Sequence, residues 1–199
     1  MLHKKLITIL RNLICLIGLI CMSPFLFLAA LALIAEDGMP VFFVQDRIGQ
    51  NKKCFKIIKI RTLKNGTPHT GTHELETKHR LRVGILLRKT KLDEFPQLLN
   101  VLKGEINLIG PRPGLPNQDL LLKHRSDREV FQIKPGITGL AQVMGYDMSN
   151  PERLSEVDEM YISRRSLKIN LLILLATFTN FPKNYLSQYF KIENISGVK

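Results

Sequence analysis

The sequence predicts an α+β fold: an N-terminal re-entrant membrane helix followed by a small, mainly helical cytoplasmic domain with a short β-hairpin. Three observations carry this reading. No charged residue occurs in the 23 residues from Leu13 to Ala35, which as a helix cover roughly 35 Å at about 1.5 Å per residue. Ser23-Pro24 falls in the middle of that run, and proline inside a helix removes an N–H donor and clashes with the preceding turn. Past residue 37 the chain turns polar and basic, with short alternating runs and helical periods. The expected organisation is a membrane helix over residues 1–36, broken at Ser23-Pro24, and a membrane-associated domain over residues 37–199.

The apolar run is long enough for a single spanning helix. Ala30-Leu31-Ala32 has the form of a signal-peptidase site, but the run is too long and continues beyond it. The flanking charges decide for a third geometry. Lys4, Lys5 and Arg11 precede the run, and Arg47, Lys52 and Lys53 follow it. Equal positive flanks give a spanning helix no orientation. They are what a helix entering and leaving on the cytoplasmic side displays. The Ser23 hydroxyl is available for a carbonyl left over at the proline.

Lys and Arg total 29 against 17 acids, a formal charge of +12. Such a surface suits nucleic acid, anionic lipid headgroups or phosphorylated substrates. Aromatic residues are 7% with no Trp, and no nucleic-acid motif is present, which gives the first class little support. Cys15 and Cys21 lie in the apolar run, leaving Cys54 alone in the domain. No disulfide can form there, in keeping with a reducing compartment. His69, His73 and His79 sit in a polar region without metal-ligand spacing, so a metal must be held by carboxylates.

Within the domain, Val41–Val44 and Phe55–Arg61 read as strands, with Asp46 to Asn51 as the turn of a hairpin. Residues 65–77 read as a loop, and a helical pattern runs from about Lys78 to Lys89. Residues 166–178 are mostly apolar but too short to span a bilayer; they either lie in the membrane interface or pack as a core helix.

The segment from Thr90 to Gly104 carries the most chemistry. Phe95, Leu98, Leu99 and Leu102 are spaced as one apolar helix face, and Gly104 is a C-terminal stop. Pro96 is tolerated only in a first turn. The helix is therefore expected to start at or beside Asp93, with Asp93 as N-cap and Glu94 next to it. Acids at a helix start are commonly just capping residues. Here Arg88 and Lys89 precede them, and Gly110-Pro-Arg-Pro113 follows with two prolines stiffening the backbone around Arg112. Free N–H groups and arginines bind oxyanions, and paired acids hold Mg²⁺ together with phosphate oxygens. Pro135-Gly-Ile-Thr-Gly-Leu-Ala-Gln142 places two glycines around Thr138. It is either a close backbone approach to a ligand or a tight loop.

Together these residues resemble the small monotopic phosphoglycosyl transferases, bacterial sugar transferases that load polyprenyl (undecaprenyl) phosphate. The resemblance runs through Ser23-Pro24, Phe55-Lys-Ile-Ile-Lys-Ile-Arg-Thr62, Leu92 to Glu105, Leu108-Ile-Gly-Pro-Arg-Pro113 and Lys134 to Gln142. It implies transfer of a sugar-1-phosphate from a UDP-sugar to polyprenyl phosphate, with release of UMP and a covalent phosphosugar on Asp93. By the same resemblance Glu94 assists as metal partner or proton acceptor, and Lys59, Arg88 and Arg112 neutralise phosphate. The resemblance also implies that Pro113, Thr138, Gln142, Tyr146 and Asp147 face nucleotide or sugar. Mg²⁺, with Mn²⁺ as a substitute, is held by Asp93 and Glu94. The partners implied are the UDP-sugar, the polyprenyl phosphate and membrane lipids, with no nucleic acid. The implied location is the cytoplasmic face of the bacterial inner membrane, at the first membrane step of glycan assembly.

The chain departs from the family pattern at Lys134, at Gly145-Tyr-Asp147 and at Asn170. The first two fall where nucleotide or sugar is expected. Pro113-Gly-Leu-Pro-Asn-Gln118 and Gly145 to Ser149 resemble members acting on acetamido-deoxy sugars such as N-acetylquinovosamine or N-acetylfucosamine. Two other classes compete: a membrane-anchored binding module without chemistry, and an anchored nucleic-acid binder.

Overall fold

Leu2–Asp37 forms one helix, α1, with Pro24 inside it. Helical conformation runs unbroken through the proline, so the expected break is not a gap in the helix. The local reason is a substitution of donors. Pro24 lacks the N–H that would bond the Ile20 carbonyl four residues back, and the Ser23 hydroxyl donates to that same carbonyl at 2.8 Å. The structure, a computed structural model, describes residues 2–67 and 79–196. Among them, residues 5–37 form the single helix long and apolar enough to cross a membrane.

The chain divides into two units, Met1–Gln45 with Lys56–Gly104, and Asp46–Phe55 with Glu105–Lys199. In the first, Ala29 and Leu33 of α1 pack with Val41, Ile60, Leu81 and Leu87. Strand β1, Phe42–Ile48, and strand β2, Cys54–Ile60, make the expected antiparallel hairpin. β1 is longer than its apolar residues suggest, taking in Asp46 to Ile48. The reversal lies at residues 49–53, where the Gly49 N–H bonds the Lys53 carbonyl at 2.8 Å and Asn51 and Lys52 take positive φ.

Helix α2, Arg82–Thr90, begins later than residue 78 because Arg80 still pairs in β fashion with Leu63. Its own N-cap, Leu81, supplies no side-chain oxygen. Glu36 of α1 does so instead, accepting from the Arg82 and Val83 N–H groups at 2.7 and 3.0 Å. The end of α1 is closed from the domain side: Arg61 pairs with Asp37, and the Asn65 amide donates to the Asp37 carbonyl at 2.9 Å. His69, His73 and Lys78 lie outside the described residues; His79 is half-buried and its carbonyl accepts from the Lys64 N–H.

In the second unit, β3, Asn107–Ile109, pairs in parallel with β4, Gly136–Thr138. This second sheet is not legible in the sequence, since three-residue strands carry no periodicity. Helices α4 (Asp119–Asp127), α5 (Leu140–Met144), α6 (Pro151–Arg164), α7 (Leu167–Phe178) and α8 (Phe181–Phe190) surround a core that includes Leu121, Met144, Val157, Ile173 and Leu186. Each such buried side chain contributes about 1.5–3 kcal/mol. Of the two expectations for residues 166–178, α7 meets that of a core helix, on one face. Ile169, Ile173 and Ala176 are buried, while Leu167, Leu171, Leu175 and Phe178 are exposed.

Charge is buried in this unit too. Arg125 Nε and Nη2 both donate to Asp158 Oδ2, at 3.0 and 2.6 Å, with both side chains almost fully enclosed. Burial pushes the Asp158 carboxyl above its ordinary range, and the Arg125 charge opposes that rise.

Candidate active site

The acids lie where the chain changes helical type. Leu92–Gln97 is a 3₁₀ helix, and Leu98–Leu102 continues it as α3. The N-cap is Lys91, in the left-handed region at φ 62, and not Asp93. Asp93 and Glu94 occupy the first turn, and the Glu94 N–H is spent on the Lys91 carbonyl at 3.2 Å. Pro96 fits well inside the segment because it sits in a 3₁₀ turn ahead of the α-helical hydrogen bonds. The change of period also corrects the expected apolar face. Leu98 and Val101 are buried, but Leu99 is 42% exposed, since three residues per turn before Leu98 shift the face that 3.6 per turn would give. Gly104 does end the helix, at φ 76 with its N–H on the Val101 carbonyl.

Asp93 is buried at 7% exposure. Beside it Glu94 Oε1 lies 2.7 Å from Lys59 Nζ, both side chains 14% exposed. Lys59 reaches that position because β2 is pinned to α3. Asn100, fully buried, accepts from the Ile58 N–H at 3.2 Å and donates to the Lys56 carbonyl at 2.7 Å. Its carboxamide thus stands in for a neighbouring strand and fixes the register of Lys59.

Arg88 is held from the other side. Its Nε donates to Thr62 Oγ1 at 2.8 Å. One turn earlier on the same face is Gly84, where a Cβ would stand 2.2 Å from the Thr62 carbonyl oxygen. Only glycine lets α2 approach so closely. Sequence reasoning misses Thr62, Gly84 and Asn100 as site supports; Gly84 inside a helical run is the one available signal.

The residues expected to face nucleotide or sugar belong to the second unit. Arg112 is half-buried between the buried Pro111 and Pro113. Thr138 Oγ1 is 2.8 Å from Thr177 Oγ1, and Gln142 Nε2 donates to the Ile137 carbonyl. The glycines around Thr138 meet chain rather than open space. A Cβ on Gly136 would lie 2.1 Å from the Gly110 nitrogen, and one on Gly139 would lie 2.2 Å from the Gly110 oxygen. Tyr146 stacks under the Arg153 guanidinium at 5.8 Å and lines a cavity of about 680 Å³ with Arg153, Lys191 and Glu193. Asp147 Oδ1 accepts from the Ser149 N–H. Asn170, a departure from the family pattern, accepts from the Tyr161 hydroxyl at 2.9 Å.

No cluster of three His, Cys, Asp or Glu side chains exists among the described residues. A metal that needs an all-protein cage does not fit. Mg²⁺, which takes one or two carboxylates and completes its shell with phosphate oxygens and water, fits the Asp93-Glu94 donor pair. The Lys59 ammonium already occupies a cation's place against Glu94.

Comparison with known proteins gives the class first: a membrane-associated sugar-phosphate transferase, and therefore an enzyme. The chain belongs to the bacterial sugar transferase family, whose model matches residues 2–184. It is 37% identical over 162 residues to EpsL, an uncharacterized sugar transferase of Bacillus subtilis (strain 168), covering 81% of this chain and 80% of the relative. It is 36% identical over 166 residues to a UDP-glucose:undecaprenyl-phosphate glucose-1-phosphate transferase of Caulobacter vibrioides, covering 78% of this chain and 61% of that one. A UDP-N-acetylgalactosamine-undecaprenyl-phosphate N-acetylgalactosaminephosphotransferase of Aeromonas hydrophila is also 36% identical over 166 residues, with 78% and 38% covered.

Proposed function

We propose that this chain transfers a sugar-1-phosphate from a UDP-sugar to polyprenyl phosphate through a covalent intermediate on Asp93. The observation that carries the reading is the buried Asp93 beside a Glu94 already paired with Lys59 at 2.7 Å. An Asp93 oxygen attacks the β-phosphorus, and the bond from that phosphorus to the bridging oxygen breaks, so UMP leaves with that oxygen. An oxygen of polyprenyl phosphate then attacks the same phosphorus and frees the Asp93 carboxylate. A carboxylate can perform this attack once cations neutralise the anionic electrophile. Lys59, Arg88 and Arg112 supply that charge. Glu94 assists either as metal partner or as acceptor of the proton that a monoprotonated polyprenyl phosphate gives up when its oxygen attacks. Asp93 and Glu94 would hold Mg²⁺, which when bound withdraws charge from the phosphate oxygens.

Residues 1–36 enter and leave the inner membrane from the cytoplasmic side, and residues 37–199 act on that face, where UDP-sugars are available. The equal positive flanks, Lys4, Lys5 and Arg11 before the run and Arg47, Lys52 and Lys53 after it, support this, and the Ser23-to-Ile20 hydrogen bond lets the chain carry Pro24 in lipid without an orphaned carbonyl. The sugar is an acetamido-deoxy sugar in this reading.

The test is UMP release by the full chain in detergent with undecaprenyl phosphate. The panel is the UDP derivatives of glucose, N-acetylgalactosamine, N-acetylquinovosamine and N-acetylfucosamine, with and without EDTA. Turnover should require metal and should fall by more than about 100-fold in Asp93→Asn, roughly 2.7 kcal/mol. A smaller loss removes Asp93 as nucleophile, and full activity in EDTA removes the metal.

A further inference from the structure

We infer that Arg47 and the buried Arg125–Asp158 pair are positioning residues for Arg112, locking the turn that presents its guanidinium. The inference rests on the phosphate-binding role proposed above for Arg112. Four successive main-chain carbonyls of that turn are each taken by a donor from another part of the second unit. The Pro111 oxygen accepts from the Gly136 N–H at 2.9 Å and the Gly114 oxygen from the Ile48 N–H at 3.0 Å. Between them, the Arg112 oxygen accepts from Arg125 Nη1 at 2.7 Å and the Pro113 oxygen from Arg47 Nη1 at 3.1 Å.

The two prolines flanking Arg112 are held in both backbone angles. The rings of Pro111 and Pro113 fix φ but leave ψ free. ψ sets the direction of a carbonyl, so the clamped oxygens of Pro111 and Pro113 fix the angle that those rings leave free, and the clamped Arg112 oxygen fixes ψ at Arg112 itself. Arg125 is well suited to the central contact. Asp158 holds Nε and Nη2, which orients the planar fork and leaves Nη1 aimed at the Arg112 oxygen. A buried ion pair adds little net stability over apolar residues of the same size. What this one adds is direction. Two guanidinium groups hold adjacent carbonyls on either side of the Arg112-to-Pro113 peptide bond, and an error of about 1 Å in placing a phosphate-binding group costs on the order of 100-fold in rate.

The test must avoid leaving Asp158 buried without its partner. Arg125→Met combined with Asp158→Leu removes the pair together and with it the donor to Arg112. It is compared with Arg112→Ala, with the triple variant and with wild type, all as full chains. The readouts are melting temperature, affinity for UDP as probe, and UMP release with the preferred UDP-sugar. The expected result is a folded paired variant whose turnover falls about 10- to 100-fold, with no further loss when Arg112→Ala is added. Unchanged turnover in the paired variant, or equal losses with and without Arg112, overturns the inference. If the paired variant does not fold, Arg47→Met takes its place in the same cycle: a loss that vanishes in the Arg112→Ala background supports the positioning role, and unchanged turnover or an equal loss in both backgrounds overturns it. Failure of the underlying reading is distinct: Arg112→Ala alone then leaves both UDP affinity and turnover at the wild-type level, and the positioning role falls with it.

Discussion

Lys59 Nζ and Glu94 Oε1 lie 2.7 Å apart although 35 residues separate them in the chain. The contact exists because Asn100 fixes β2 against α3, so a strand lysine meets an acid on a 3₁₀ turn. Lys59→Met should lower turnover by about 100-fold, the usual loss when one preorganised cation or donor is deleted from a charge-stabilising site. Lys59→Arg should restore part of it. Assays of UMP release decide this; equal rates for Met and Arg would show that charge at residue 59 plays no part.

Gly84→Ala tests the close approach of α2. The new methyl carbon would stand 2.2 Å from the Thr62 oxygen, a backbone atom that cannot swing aside. Alanine normally favours a helix by about 1 kcal/mol over glycine. Here the sign should reverse, with a loss of about 1–3 kcal/mol as in overpacked sites, together with a lower rate because Arg88 leaves Thr62. Thermal melts of both proteins in the same detergent measure it. A more stable Gly84→Ala protein would contradict the packing.

Tyr161 predicts an alkaline limit. Burial pushes its phenol up to about 12, with Arg165 pulling the other way. An unfolded tyrosine ionises near 10. Between these values the unfolded chain has released its proton while the folded chain retains it, so stability falls as pH rises from about 10 to about 12. The fall is on the order of 2–3 kcal/mol. Tyr161→Phe loses the hydrogen bond to Asn170 and should be about 1 kcal/mol less stable at pH 8. That deficit should shrink and then reverse by pH 12. Denaturant titrations at the two pH values show whether the difference between the proteins moves; parallel curves would refute the shift.

Topology is tested with single cysteines. In a background lacking Cys15, Cys21 and Cys54, Lys5→Cys and Lys64→Cys should both resist a thiol reagent that cannot cross the inner membrane. Labelling of the residue-5 thiol in intact cells would exclude a re-entrant helix. Adding Pro24→Leu restores the missing N–H and removes the ring clash. The helix should then drift toward spanning and expose residue 5 to the reagent. Unchanged protection would mean that Pro24 does not return the chain to its starting side.

The sequence by itself determined the membrane helix, the hairpin, the acid pair and the glycine that ends α3. Each of these is a local property: an uncharged run of given length, alternation, a proline beside two carboxylates, a positive φ that glycine accepts. Even the task of the Ser23 hydroxyl is local, since a proline frees a carbonyl only one turn away. Only the tertiary structure decided which groups meet. Asn100 in place of a strand, Glu36 capping a helix 46 residues later, and Gly110 pressed between Gly136 and Gly139 are contacts between distant segments that leave no spacing to read. The same holds for Arg125, an ordinary helix residue in the sequence whose direction comes wholly from Asp158 on another helix. The helical type at Asp93 was decided there too. Pro96 bars an α-helix from starting as early as Lys91, and a 3₁₀ start there gives no sequence signal; the packing of Leu98 and Val101 with Leu99 left outside settles which residues turn inward.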